Sequence, residues 1–188
     1  RAYRESFFKN RRNCGISSAR AGNVIGGGDW SAKRLIPDCI KSLLENKVIY
    51  LRNPNFNRPW QHVLEPLRGY LMLAKKQFQE PKKYSDAWNF GTKNNSVKSV
   101  KEIVEYMISF WGAGKIKVNR ENKFYEQKNL QLDINKVKKK LKWNPTYSVK
   151  KGVEITTEWY LQVYKNKKDP FEVTNRQIVE YMNENNWS

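Results

Sequence analysis

The sequence predicts a mixed α/β fold, and three observations carry that prediction. Short apolar runs alternate with segments of helical periodicity along the whole chain. Residues 16–21, Ile16-Ser17-Ser18-Ala19-Arg20-Ala21, form the kind of small-residue and apolar run that lies inside a parallel sheet covered on both faces. That run ends in Gly22-Asn23-Val24-Ile25-Gly26-Gly27-Gly28-Asp29-Trp30, where four glycines in seven positions let a loop at the carboxyl end of a strand turn with positive φ and approach a ligand closely.

The remaining elements follow in order. Residues 2–8 read as the closing turns of an amphipathic helix, and because residue 1 is Arg rather than Met the chain reads as a piece of something longer. Leu35, Ile36, Cys39, Ile40, Leu43 and Leu44 recur at helical spacing, which predicts a helix over 34–45 with Pro37 near its start. Residues 48–52 are a short strand, Asn53-Pro54 a turn, and 59–63 a second extended piece. A helix opens at Glu65-Pro66 and runs to about Phe78, with Leu67, Tyr70, Leu71 and Ala74 as its apolar stripe. Residues 87–91 form a strand; Ser99 followed by Glu102 is a capping box for a helix that ends at Trp111, stopped by Gly112 and Gly114. Strands are expected over 115–118 and 130–133, and helices over 135–141, 148–165 and 172–183. There is no internal repeat.

With 188 residues, 39% of them hydrophobic and 13% aromatic, the chain can bury a real core, which excludes wholesale disorder. Its two cysteines, Cys14 and Cys39, have no second thiol pair or histidine cluster beside them, so neither a disulfide framework nor a zinc site is expected and a reducing, cytoplasmic setting fits. No apolar run approaches the roughly 20 residues of a membrane helix, and Arg1-Ala2-Tyr3-Arg4 does not read as a secretory signal. The 36 Lys and Arg against 18 Asp and Glu leave a charge of +18, which raises nucleic acid as a partner. The lysines are nonetheless spread through nearly every segment, and only 136–142 is a dense block. This is the pattern of a solvated, biased surface rather than a nucleic-acid face, and it suits anionic small molecules.

Several residues could carry chemistry. The glycine-rich loop matches neither the P-loop nor the dinucleotide fingerprint, and reads either as an anion site beside a helix N-terminus or as a surface turn. In Arg58-Pro59-Trp60 the guanidinium is either a fixed ligand for two phosphate oxygens or a surface arginine beside a packing indole. His62, the only histidine, has no Ser or Cys beside it to build a nucleophilic triad and reads as structural. Asp29, Asp38, Glu65 and Asp133 lack metal-ligand spacing, so no metal is expected.

Taken together, the Ala19 to Trp30 segment, the Arg34-Leu35-Ile36-Pro37-Asp38 helix start, Ile49-Tyr50-Leu51-Arg52-Asn53-Pro54, Arg58-Pro59-Trp60-Gln61-His62-Val63 and Trp88-Asn89-Phe90-Gly91 resemble the carboxyl-terminal half of extended short-chain dehydrogenase/reductases. Lys142-Trp143-Asn144-Pro145 and Thr157-Glu158-Trp159-Tyr160 extend the resemblance to about residue 165. Within that superfamily the chain is similar to the sugar-nucleotide 4,6-dehydratases, those acting on CDP-glucose above all.

The resemblance implies the C-terminal part of a Rossmann-like parallel sheet with a small α/β substrate-binding domain. Residues 1–30 would close the NAD-binding domain, 31–165 would be mainly substrate-binding with returning sheet elements, and 166–188 a helical extension. It implies that Asn23 holds the substrate near its diphosphate, with Ala21 and Gly22 beside the nicotinamide of NAD. Arg34, Leu35, Ile36 and Pro37 would border the nucleotide, Leu51 and Arg52 would flank the base, and Arg58 would grip the diphosphate. Asn89 would lie close to the pocket, and Glu126 would match an acid of a later substrate loop, although Phe124-Tyr125-Glu126-Gln127 stands where the family has His-Glu-Ala. The cofactor fingerprint Gly-x-x-Gly-x-x-Gly, the catalytic Tyr-x-x-x-Lys and the acid pair for dehydration would belong to a portion preceding Arg1, so no catalytic residue is expected in this chain. The parent would be a cytoplasmic, NAD-dependent lyase, a homo-oligomer supplying deoxysugars for surface polysaccharide. Its partner would be CDP-glucose or a related nucleotide sugar, with neither nucleic acid nor membrane as partner. The alternatives are another dehydratase or epimerase of the superfamily, an inactive remnant, and a basic nucleic-acid-binding module.

Overall fold

A computed structural model of the chain describes residues 2–11, 13–93, 97–119 and 131–187. The elements are α1 (Ala2–Phe8), β1 (Ser18–Ala21), β2 (Asn23–Ile25), α2 (Leu35–Leu44), β3 (Ile49–Leu51), β4 (Asn57–Arg58), β5 (Trp60–His62), α3 (Leu64–Gln79), β6 (Ala87–Phe90), β7 (Lys98–Ser99), α4 (Val100–Trp111), β8 (Ile116–Val118), α5 (Asn135–Leu141), α6 (Val149–Tyr160), a π-helical segment (Leu161–Lys165) and α7 (Pro170–Glu184). The mixed α/β class holds. Among the described residues three strand pairs are parallel, β1 with β6, β2 with β5 and β3 with β8, and β4 with β7 is antiparallel. Parallel neighbours require long crossovers, which the helices supply.

One glycine sets the path of the first strand. A Cβ on Gly22 would lie 2.5 Å from the Pro59 carbonyl oxygen, so only glycine lets the two backbones meet there. Before Gly22 the chain pairs with β6, Ala21 opposite Phe90; after it the partner is β5, Asn23 opposite Trp60. The segment expected to be a loop throughout therefore holds a second strand, β2. The expected burial of 16–21 on both faces is also corrected. Ser18, Ala19 and Arg20 are exposed and Ala21 is half-buried, because β6 is the single partner of β1 among the described strands.

Local signals formed most helices where the sequence placed them. Ser99 accepts from the Glu102 N–H while Glu102 accepts from the Ser99 N–H, closing the capping box of α4, and Gly112 ends the helix at φ +84°. Helix α7 starts at Pro170 with Asp169 accepting from the Glu172 N–H. Residues 131–133 form no strand. Asp133 instead accepts from the Asn135 N–H at the start of α5, and Asn89 donates to the Asp133 carbonyl.

Two apolar clusters fill the interior. The first gathers Ile25, Ile36, Ile40, Leu51, Ile103, Met107, Val153 and Tyr160 from β2, α2, β3, α4 and α6. The second gathers Leu73, Trp88, Phe90, Ile134, Val137 and Trp143 from α3, β6 and the α5 region. Helix α3 turns a different face inward from the expected one: Leu67 and Leu71 remain 46% and 57% exposed, while Pro66, Gly69 and Leu73 are buried. Gly69 is the reason, because a Cβ there would overlap the Phe90 ring, and the ring packs directly on the helix backbone.

Candidate functional site

The switch of partner at Gly22 places β2 and the first residue of β5, Trp60, beside the start of α2 and the end of β3, and a cavity of about 630 Å³ opens among them. A crevice at the carboxyl ends of parallel strands, where pairing changes, is where open α/β sheets bind ligands. Gly22 and Asn23 enter from the β1–β2 junction, Arg34, Leu35, Ile36 and Pro37 from the start of α2, Leu51 and Arg52 from the end of β3, and Arg58 from β4. Eight candidate substrate residues dispersed over 36 positions thus share one wall-to-wall space with Gly22.

Two candidates stand elsewhere. Ala21 precedes the cavity wall on β1, half-buried. Asn89 sits on β6, its amide donating to the Asp133 carbonyl, which favours the strand-end structural role over a pocket one. Glu126 lies outside the described residues.

The structure adds wall residues that the sequence reading did not single out. Lys33, Tyr50, Asn53 and Trp60 face the same cavity, as does Cys39. Lys33 adopts φ +63°, an uncommon conformation for a side-chain-bearing residue and one found at ligand clamps. A lysine's φ leaves no trace in sequence, so no local signal marked it. Burial and the Asp38 carboxylate push the Cys39 thiol up to about 12, which keeps it protonated and rules it out as a nucleophile at neutral pH.

The cavity is electropositive. Lys33, Arg34, Arg52 and Arg58 line it against two carboxylates, Asp29 and Asp38. Arg58 donates from Nη1 to the Asn57 carbonyl at 2.9 Å and lies over the Phe56 ring at 5.4 Å, so its guanidinium is held by its own strand. Arg34 meets Asp29 at 3.4 Å. Burial alone would raise the Asp29 carboxyl, but hydrogen bonds from Ser31 and the Arg34 charge outweigh it and hold the group below its usual value. An anion with several oxygens, such as a diphosphate, is the ligand chemistry that such a space accepts.

The other titratable groups do structural work. His62 is buried, and desolvation lowers its pKa to about 4, so it is a neutral packing residue, as its isolation in sequence suggested. Glu65 accepts from the Thr146 and Tyr147 N–H groups and from the Tyr181 hydroxyl, joining α3 to α7. Within the basic 136–142 block, Lys136 pairs with Asp86 and lies 4.7 Å from the Trp88 ring centroid, so part of that charge is neutralised internally. Among the described residues no group of His, Cys, Asp and Glu could hold a metal, and no helix is long and apolar enough to cross a membrane.

The bare Tyr-x-x-x-Lys spacing does occur, at Tyr147 to Lys151 and at Tyr164 to Lys168, which corrects the expectation that it is missing from these residues. Neither pair lines the cavity. Tyr147 packs edge-on against His62 and Tyr181, with burial pushing its hydroxyl pKa up, and Lys151 pairs with Glu154 at 3.5 Å. The Tyr164 hydroxyl accepts from Trp30 Nε1 at 3.1 Å.

Comparison with known proteins adds to this geometry. No family model matches the chain. It is 38% identical over 186 residues to CDP-glucose 4,6-dehydratase from Salmonella typhimurium, covering 96% of this chain and 52% of that protein. Among solved structures, UDP-glucuronic acid 4-epimerase from Bacillus cereus, in complex with UDP-glucuronic acid and NAD, superposes with a TM-score of 0.70 at 21% identity, over 87% of this chain and 49% of the other. The dTDP-glucose 4,6-dehydratase from Bacillus anthracis, in complex with NAD, gives 0.66 at 21% identity over 89% and 50%. The chain spans about half the length of each of these proteins. It therefore shares the Rossmann-like α/β fold of these solved structures and is similar in sequence to about half of CDP-glucose 4,6-dehydratase.

Proposed function

We propose that this chain is the nucleotide-sugar-binding half of a CDP-glucose 4,6-dehydratase. The observation that carries the reading is the gathering of Asn23, Arg34, Arg52 and Arg58 around one electropositive cavity in a chain 38% identical to that enzyme. Arg58, braced by Asn57 and Phe56, grips the diphosphate with charge-assisted bonds, and Arg52 approaches it from the neighbouring strand end. The Asn23 amide donates to a phosphate oxygen without adding charge. Leu35, Ile36 and Pro37 form the apolar border of the nucleotide, and Leu51 flanks the base.

For NAD the chain fits in part. Ala21 offers only a methyl group and Gly22 bare backbone where β1 ends, which suits one flank of a nicotinamide ring, while no Gly-x-x-Gly-x-x-Gly is present to take the pyrophosphate. When bound, NAD supplies the hydride acceptor and donor for an internal redox that removes water across C5 and C6 of the glucose. What these residues contribute is binding and orientation of the sugar nucleotide, so the chain by itself is read as inactive. The same reading makes the parent a cytoplasmic, homo-oligomeric lyase of deoxysugar biosynthesis. Its support is the resemblance and two free cysteines, Cys14 and Cys39.

Titration calorimetry of the chain with CDP-glucose tests the proposal. Wild type binds, and Arg58→Ala weakens binding by about tenfold or more, equivalent to about 1.4 kcal/mol. Unchanged affinity in that variant removes the diphosphate role, and equal affinity for UDP-glucose removes the assignment to the cytidine nucleotide.

A further inference from the structure

The glycine-rich loop is held from behind by aromatic residues far along the chain. The Tyr160 hydroxyl, on a residue fully buried in the first core, donates to the Asp29 carbonyl at 2.7 Å. Trp30 packs edge-on between Tyr160 and Tyr164 at ring distances of 5.3 and 5.0 Å. The Trp159 indole lies so close beneath Gly27 that a Cβ there would overlap it. Just after Tyr160 the helix widens into the π-helical turn Leu161–Lys165, with the Asn166 N–H reaching the Leu161 carbonyl at 3.0 Å. Such turns recur at functional sites.

Three residues link this clamp to the cavity. Asp29 is fixed on its carbonyl by Tyr160 and on its carboxylate by the Ser31 N–H at 2.9 Å, and that carboxylate in turn meets Arg34 at 3.4 Å. Arg34 is 64% exposed at its side chain, so without Asp29 its long stem would sample many rotamers. We infer that Tyr160 is a positioning residue: by anchoring the Asp29 backbone it sets the direction of the Arg34 guanidinium and pre-forms the anion cavity before a ligand arrives. The inference rests on the nucleotide-sugar reading for its ligand, but not for the clamp itself.

Tyr160→Phe deletes one hydroxyl and keeps the ring packing. By calorimetry it should weaken CDP-glucose binding about fivefold, the effect of one net hydrogen bond. The loss should vanish when Tyr160→Phe is made in an Arg34→Ala background, because the hydroxyl then has no guanidinium to direct. A hydroxyl that served stability alone would give the same loss with or without Arg34, and that result, or full affinity in Tyr160→Phe, overturns the inference. Amide exchange separates this from failure of the underlying reading. The amides of 27–30 should exchange faster in Tyr160→Phe while those of α4 keep their protection. If CDP-glucose does not bind wild type at all, the nucleotide-sugar reading falls and the exchange result alone decides whether Tyr160 orders the loop; unchanged exchange there overturns the clamp.

Discussion

The two apolar clusters differ in what lies at their edges. The second is sealed: Trp143 and Phe90 are buried at 0%, cross at 88°, and Trp143 Nε1 donates to the Glu65 carbonyl at 3.2 Å. The first has equally buried centres in Ile40, Ile103 and Val153, yet one side opens onto the cavity through glycines, charged side chains and a lysine at positive φ. Both clusters have fully buried centres, so burial alone does not distinguish the cavity side. What distinguishes it is backbone exposed by glycine and cations gathered around a concavity.

The largest effect should therefore come from the sealed side. Trp143→Ala removes a fully buried indole and its bond to Glu65, and should lower unfolding free energy by about 3–5 kcal/mol in denaturant titration. A cost below that of a cavity-side substitution would contradict the contrast.

His62, buried at the end of β5 against Gly152 of α6, gives the next largest effect through pH. Unfolded, its imidazole takes a proton near 6.5; folded, burial keeps it neutral down to about 4. The unfolded chain binds more protons across that interval, so stability fully present above pH 6.5 is lost as pH falls through 4. About 3 kcal/mol should disappear over this range in wild type. The slope should flatten in His62→Asn. Burial raises the Glu65 carboxyl despite the Tyr147 and Thr146 donors, which works in the opposite direction by favouring the fold at lower pH, so a Glu65→Gln background should expose the histidine slope in full.

The smallest stability effect is expected in the glycine-rich loop, whose Gly26 and Asp29 line the cavity. Gly27→Ala drives a methyl group into the Trp159 indole and should cost about 1–3 kcal/mol by thermal or chemical unfolding. Its CDP-glucose affinity should fall by a larger factor than in Trp143→Ala measured under conditions where both are folded. The reverse order would show that the glycine loop is not part of the binding surface.

Helix α4 is legible in the amino-acid sequence because its determinants are local: the Ser99 and Glu102 caps lie three residues apart, and Gly112 needs only its own φ. The alternation that predicts an α/β class is local in the same sense, and the glycine-rich loop stands out because close approach restricts residue type, whereas Arg58 reads either as a phosphate ligand or as a surface arginine and Arg52 enters through the family resemblance. Tertiary structure decided the rest. That Leu73 and Gly69, rather than Leu67 and Leu71, face inward depends on the Phe90 ring some 20 positions away, and that the chain changes partner from β6 to β5 at Gly22 depends on Pro59. Lys33 and Tyr50 joined the cavity, and Asn89 moved to a structural bond, through contacts between elements distant in sequence. Periodicity and capping are encoded within a few residues of each position, whereas the face a helix buries and the neighbour a strand takes are set by the shapes of partners that meet it only when the chain has folded.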